Sequence, residues 1–304
     1  MKFISVVACL VSGFHALAQL PKASSGQIIR FENFKSKYAM PRNVDVWIPE
    51  NYTPSKKYAV IYMHDGQMLF DSTITWNHQE WMVDETLARL MNENPAGGKQ
   101  GEITECIVAG IWSNGPYRHA EYFPQRVINM LPDSIRREVM QAVLNKALAD
   151  DYLLFITKEL KPFIDSAYST RQDQSHTFIA GSSMGGLISL YALCEYPEVF
   201  GGAACISTHW PGLLKQNSEI PNALNKYLLQ HLPSPENHHI YFDYGTATLD
   251  SMYEEWQKMI DVTMTEKGYT DKNWITMKFA GVDHSEHSWQ KRFCIPMKFL
   301  LGIK

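Results

Sequence analysis

The chain has 304 residues, 45% of them hydrophobic, and a formal net charge of −4. That is enough apolar material for one sizeable core and a length that suits a single domain. The mild acidity, with no run of Lys or Arg forming a basic stripe, excludes nucleic acid as the expected partner.

Residues 1–18 read as a separate object. Lys2 opens a short apolar run that closes on Ala16-Leu17-Ala18, a small-x-small pattern before Gln19. This is the pattern of a secretory signal peptide, so the expected mature chain is 19–304, exported to the periplasm or secreted. A lipid anchor at Cys9 fits less well, because almost nothing precedes it. Past Ala18 no stretch is long and apolar enough to span a bilayer. Cys106, Cys194, Cys205 and Cys294 each lie inside apolar runs, which predicts buried free thiols. No CxxC or Cys/His cluster points to a metal.

Strands are predicted at 43–48 (NVDVWI), 58–63 (YAVIYM), 105–111 (ECIVAGI), 176–181 (HTFIAG), 201–207 (GGAACIS), 239–245 (HIYFDYG) and 273–281 (NWITMKFAG). Several are apolar on both faces, as in a buried parallel sheet. Helical spacing appears between them, at 80–93, 151–168, 183–196, 248–268 and 288–303. The alternation predicts an α/β fold, a mostly parallel central sheet with helices on both faces. The first strands have no helix between them, so that edge is expected to be antiparallel. Two segments interrupt the alternation. One, 113–150, holds a polar-aromatic loop and an extra helix capped by Asp133 or Ser134, and is expected to form a small helical cap insertion. The other is 208–236. Both follow strands, the side of an open α/β sheet where ligands bind.

Between the strand HTFIAG and a helix lies Gly181-Ser182-Ser183-Met184-Gly185, a G-x-S-x-G pattern centred on Ser183. A strand that turns abruptly into a helix needs small residues two before and two after the apex, and lifts the central hydroxyl above the sheet. The helix N-terminus then leaves the Met184 N–H free for a developing oxyanion. Ser182 is the rival by adjacency alone. A serine nucleophile needs a base and an acid, in the order Ser, acid, His. His284, in FAGVDHSEHSW just past the last strand, is the expected base, with His287 one helical turn further on as competitor. The two histidines at i, i+3 as a metal site lack a third ligand. For the acid, Asp250 lies in the loop after the seventh strand and Asp243 still on it, with Glu254 and Glu255 beyond. The loop YMHDGQMLFD is expected to supply the second oxyanion donor, the Gln67 N–H, with His64 and Asp65 bracing it and Gly66 allowing close approach.

These residues sit in stretches similar to those of the putative esterase family of α/β-hydrolases, which includes feruloyl esterases, esterase D and enterobactin esterases. The chain resembles its exported bacterial branch. The likeness rests on YMHDGQMLFD, Glu80-Trp81 with Asp84-Glu85, Arg118 to Pro124, LKPFIDSAYST, IAGSSMGGLISLYALCEYPEVFG, FDYGTATLDSMYEE and GVDHSEHSWQKR, from about residue 40 onward. The resemblance implies an α/β-hydrolase fold, ester hydrolysis without a cofactor, and Ser183, Asp250 and His284 as nucleophile, acid and base.

The expected function is a serine carboxylesterase acting on a small-molecule or oligosaccharide ester, such as a feruloyl or acetyl ester of a carbohydrate. A catecholate siderophore ester is the alternative substrate. A non-catalytic carbohydrate-binding or scaffolding protein on the same fold is the alternative class. Trp112, Tyr117, Arg118, Tyr122, His209 and Trp210 are candidate substrate contacts, because aromatic side chains there could stack on a ring. The competing roles are loop anchors for the aromatics and an Arg118–Glu121 ion pair.

Overall fold

The computed structural model describes residues 19–92 and 101–303. The segment 1–18 read as a signal peptide lies outside the described residues. Eight strands form one sheet: β1 Gln27–Phe34, β2 Arg42–Ile48, β3 Ala59–His64, β4 Cys106–Ile111, β5 Thr177–Ser182, β6 Gly202–Ile206, β7 His239–Gly245 and β8 Trp274–Phe279. Their order is β1-β2-β4-β3-β5-β6-β7-β8. β2 runs antiparallel to both β1 and β4, and every other pairing is parallel. The antiparallel edge is therefore as expected. β1 itself was not expected. Its sequence, QIIRFENF, mixes polar and apolar residues because an edge strand is only partly covered: Ile28 packs on one core, Phe31 and Phe34 on the other, and the rest stays exposed or half-buried.

β3, β4, β5 and β6 are buried along their whole length. Their alternating side chains divide the interior into two cores. Val60, Tyr62, Ile107, Ala109 and Ile179 face one, and Ala59, Ile61, Met63, Val108 and Ala180 face the other. The helix Met184–Glu195 is apolar nearly all round and is buried accordingly. The helices Val83–Asn92 and Cys294–Leu301 close the opposite face with Leu87, Leu90, Met297 and Leu300.

The 208–236 excursion contains an unexpected helix, Glu219–His231. Pro221 lies in its first turn, where a missing N–H costs little. Ile220, Ala223, Leu224, Tyr227 and Leu228 bury one face of it. In 113–150 the expected helix is shorter than its pattern. It runs Asp133–Ala142 and stops where Leu144 and Asn145 adopt positive φ, 55° and 56°. Val127, Ile128, Leu131, Val139 and Val143 of this segment join the core. All four cysteines of the described residues are free, and three are buried.

The N-terminal segment is fastened by a buried carboxylate. Asp84 Oδ2 accepts the Ser24 and Ser25 N–H groups at 2.6 and 3.1 Å. Burial, then a hydrogen bond shared with Glu85, holds the Asp84 carboxyl well above the usual carboxylate range. The folded chain then binds more protons than the unfolded one from about pH 4 up to that raised pKa, so stability falls as pH rises through this window. Asp84→Asn keeps an oxygen for both N–H groups without the charge. It is expected to flatten the dependence of Tm on pH between acid and neutral conditions, and an unchanged slope in thermal melts would count against this account.

Candidate active site

Ser183 stands between β5 and the helix Met184–Glu195, with φ 58° and ψ −122°. A non-glycine residue on this side of φ space is strained by about 1–3 kcal/mol and must be held by its surroundings. The holding is visible. Its N–H donates to Ile206 O at 2.9 Å, and its carbonyl accepts from Gly186 and Leu187 of the helix and from His209 N at 3.2 Å. A Cβ on Gly181 would come within 2.8 Å of the Gly185 backbone, so only glycine allows this turn to close. Met184 is the first helical residue, so its N–H has no partner within the helix.

Past β7, a short 3₁₀ turn at Thr248–Met252 carries Asp250, which is fully buried. Its Oδ1 lies 2.5 Å from His284 Nδ1. Its Oδ2 accepts Ser207 Oγ–H and the Gly245 N–H, both at 2.6 Å. The His284 backbone N–H donates to Thr248 Oγ1 at 2.9 Å. The imidazole is packed edge-on against Trp289 and Tyr253, with centroids 4.9 and 5.9 Å away. Both carboxylate oxygens and the ring orientation are thus fully specified.

Asp243, the other candidate acid, does not reach His284. It accepts Nε and Nη2 of Arg292 at 3.1 and 3.0 Å, the Ser207 N–H at 3.0 Å and the Tyr241 O–H at 2.9 Å. Burial pushes its pKa up, and Arg292 is the strongest group opposing that. Arg292 also donates to Ser207 Oγ at 2.8 Å. Asp243 therefore supports Asp250 at one remove, through Arg292 and Ser207. His287 lies in the helix Glu286–Gln290, where its backbone N–H donates to Gln79 Oε1 at 3.0 Å.

The loop after β3 turns at Asp65, in the left-handed region with φ 55° and ψ 45°. A Cβ on Gly66 would meet the Gly110 carbonyl carbon at 2.5 Å, so the loop lies directly on β4. Arg118 clamps the Asp65 carboxylate at 2.6 and 2.7 Å. The Gln67 side chain is fixed by two hydrogen bonds with Ser113, at 2.7 and 3.1 Å. His64 Nδ1 meets Tyr152 Oη at 2.8 Å, and burial lowers its pKa to about 3, so the ring is neutral.

A family model described as "Putative esterase" matches residues 37–299. The chain belongs to this family of esterases. It is 27% identical over 186 residues to the ferri-bacillibactin esterase BesA of Bacillus subtilis, a match covering 59% of this chain and 58% of that one. A solved ferulic acid esterase superposes with a TM-score of 0.64 at 18% identity, over 92% of this chain and 99% of that one. The enterobactin esterase FES of Shigella flexneri superposes with a TM-score of 0.63 at 17% identity, over 92% of this chain and 60% of that one. The fold is that of α/β-hydrolases, and the chain is an ester hydrolase of the serine type.

In this esterase Ser183 and His284 line one cavity of about 590 Å³, together with Asp65, Gln67, Ser113 and Arg118. No hydrogen bond joins the Ser183 and His284 side chains in this conformation, which is common in unliganded sites that tighten around substrate. Of the aromatic and charged loop residues singled out as substrate contacts, Arg118 alone lines the cavity. Tyr122 is fully buried, its O–H within 3.3 Å of the Asp65 N–H. His209 is buried. Its Nε2–H donates to Leu213 O at 3.1 Å and its Nδ1 accepts from Tyr253 at 2.7 Å, and burial lowers its pKa to about 3. Trp210 is buried with its Nε1–H on Gln257, and Trp112 turns away to donate to Asp45 at 2.7 Å. Tyr117 meets Lys146 instead, ring to ammonium at 4.7 Å. Arg118 and Glu121 do not pair, since Glu121 is held by Arg42. Aromatic composition in a loop does not say which way a ring turns, and Tyr122, His209 and Trp210 turn inward.

The cavity wall also includes Trp76, Asn77, Gln79, Trp81, Glu286 and Trp289. Sequence reading did not single out Trp76 or Glu286. The signal was position: Trp76 continues the loop that carries Gln67, and Glu286 follows His284 by two residues. For the buried pair beneath the site, Asp243→Asn leaves the Arg292 guanidinium short of its counter-charge. It is expected to destabilise the esterase by about 3–5 kcal/mol, which chemical denaturation checks. A loss under 1 kcal/mol would show that Arg292 is not the strut described here.

Proposed function

We propose that Ser183 is the nucleophile, His284 the general base and Asp250 the orienting acid of a carboxylic ester hydrolysis, with the N–H groups of Met184 and Gln67 holding the oxyanion. The observation that carries this reading is a serine on a strand–helix elbow opening onto the same cavity as an imidazole hydrogen-bonded to a buried carboxylate at 2.5 Å. Ser183 Oγ attacks the ester carbonyl carbon while its proton passes to His284 Nε2. The tetrahedral adduct collapses, and the same proton goes to the departing alcohol oxygen. Water, deprotonated by His284, then attacks the acyl-serine, and the proton returns to Ser183 as the carboxylic acid leaves. Asp250 keeps Nδ1 protonated and stabilises the imidazolium that forms between the two transfers.

The substrate we favour is an acylated carbohydrate, a feruloyl or acetyl ester, met by an exported protein in the periplasm or outside the cell. The likeness to a ferulic acid esterase supports it. The likeness to ferri-bacillibactin and enterobactin esterases supports a siderophore ester as a second reading. Ser183→Ala is expected to lower kcat by at least about 10³-fold and to abolish fluorophosphonate labelling, with the fold intact. Ser182→Ala should keep most activity. Asp250→Asn should weaken turnover far more than Asp243→Asn does in whatever fraction of that variant stays folded. Labelling that survived in Ser183→Ala would move the nucleophile elsewhere.

A further inference from the structure

Four charged or titratable side chains line the Ser183 cavity: Asp65, Arg118, His284 and Glu286. Arg118, the one guanidinium among the described lining residues, is already spent on Asp65 through a bidentate contact. Glu286 acts on Arg118 through space as well. Two carboxylates against one guanidinium leave the wall negative, with no cation free to receive an anionic substrate.

Trp76 is 82% exposed, an extreme value for a residue type that normally hides its ring. Slack in the loop does not explain it. Thr73 fastens to Asp71 Oδ1 at 2.9 and 2.6 Å ahead of Trp76. Behind it, Asn77 donates to Glu286 at 2.8 Å, and Gln79 binds both Asn77 Oδ1 and the His287 N–H. The indole is held out at the cavity rim by a loop fixed on both sides. Inside the rim, Trp81 and Trp289 are buried with centroids 5.3 Å apart, so the wall running from Trp76 to His284 holds three indoles alongside the polar Asn77, Gln79 and Glu286.

We propose that Trp76 and Glu286 set the choice of ester: Trp76 offers an exposed indole face to a flat, uncharged group, and Glu286 turns away esters that carry negative charge. This rests on the reading of Ser183 as the nucleophile of an ester hydrolase. It selects between the substrate classes left open above, because a ferric catecholate is strongly anionic whereas a cinnamoyl ester is neutral. The physical basis is ring stacking at the rim and like-charge repulsion in a partly desolvated cavity.

The test uses the full chain and ratios of kcat/KM, in which changes to the chemical step shared by both esters cancel. Methyl ferulate is compared with methyl acetate, and methyl 4-carboxycinnamate with methyl cinnamate. Trp76→Ala is expected to lower the ferulate-to-acetate ratio about tenfold. Glu286→Gln retains an oxygen acceptor for Asn77 and is expected to raise the carboxycinnamate-to-cinnamate ratio about fivefold at low salt, less at high salt. Either ratio staying within about twofold of wild type overturns the proposal. A wild-type protein that hydrolyses none of the four esters and takes no fluorophosphonate label fails differently. That outcome removes the hydrolase reading, and this proposal falls with it.

Discussion

The backbone at Ser183 is the constraint from which the site follows. A non-glycine residue at φ 58° requires a close strand–helix approach at Gly181, where a Cβ would meet the Gly185 backbone at 2.8 Å, and a fixed partner strand, which β6 supplies through Ile206 O. Strain of this kind recurs nearby. Asp65, Ser207 and Thr248 also have positive φ, and they follow β3, β6 and β7 as Ser183 follows β5. Parallel strands deliver all four to one end of the sheet, where ligands bind in open α/β folds. Each strained residue does something there. Asp65 meets Arg118, Ser207 meets Asp250, and Thr248 meets the His284 backbone. Strain of about 1–3 kcal/mol per residue persists only where surrounding contacts over-determine the conformation, and two fully developed cores provide that rigidity.

Beneath the cavity the charges are organised as a chain. His284 rests on Asp250, Asp250 on Ser207, Ser207 on Arg292, and Arg292 on Asp243. A buried charge is tolerable only when paired and hydrogen-bonded, and here each member is hydrogen-bonded to the next, with Arg292 Nη1 alone among the guanidinium nitrogens left without a hydrogen-bond partner. Trp289 joins the chain by donating to Ser207 Oγ at 3.0 Å while its ring packs on His284. The C-terminal part of the sequence, distant from Ser183, thus sets the imidazole both by charge and by packing. His64 and His209 lie behind the site and stay neutral because burial disfavours their protonation, so they serve as shaped, uncharged supports.

The loop after β3 and the loop after β8 are one mechanical unit. Asn77 binds Glu286 and Gln79 binds the His287 backbone, so the rim carrying Trp76 is tied to the segment carrying His284. The tie depends on polar side chains whose individual strength is modest, about 0.5–1.5 kcal/mol each.

Much of this was legible in the linear sequence, for reasons of local physics. Of the seven strands read, β3 to β6 were legible because strands buried on both faces must be apolar throughout, whereas the half-exposed β8 was legible by its β-branched and aromatic residues. The elbow could be read because a side chain at Gly181 would strike the Gly185 backbone. His284 was legible by its place after the last strand. The rest depended on contacts between distant segments. Asp243 and Asp250 are seven residues apart and chemically alike. Only packing against Arg292, 49 residues from Asp243, draws one away and leaves the other to meet His284. Helix Glu219–His231 carries a regular apolar stripe, Ile220, Ala223, Leu224, Tyr227 and Leu228, whose helical spacing was there to be read but lies in a polar excursion next to Pro221. Strand β1 was hidden because its few apolar residues gain meaning only from the surfaces they cover. The same holds for the rings near the site. Tyr122, His209 and Trp210 turn into the core while Trp76 turns out, a choice set by the volume available in the folded chain, which no local pattern records.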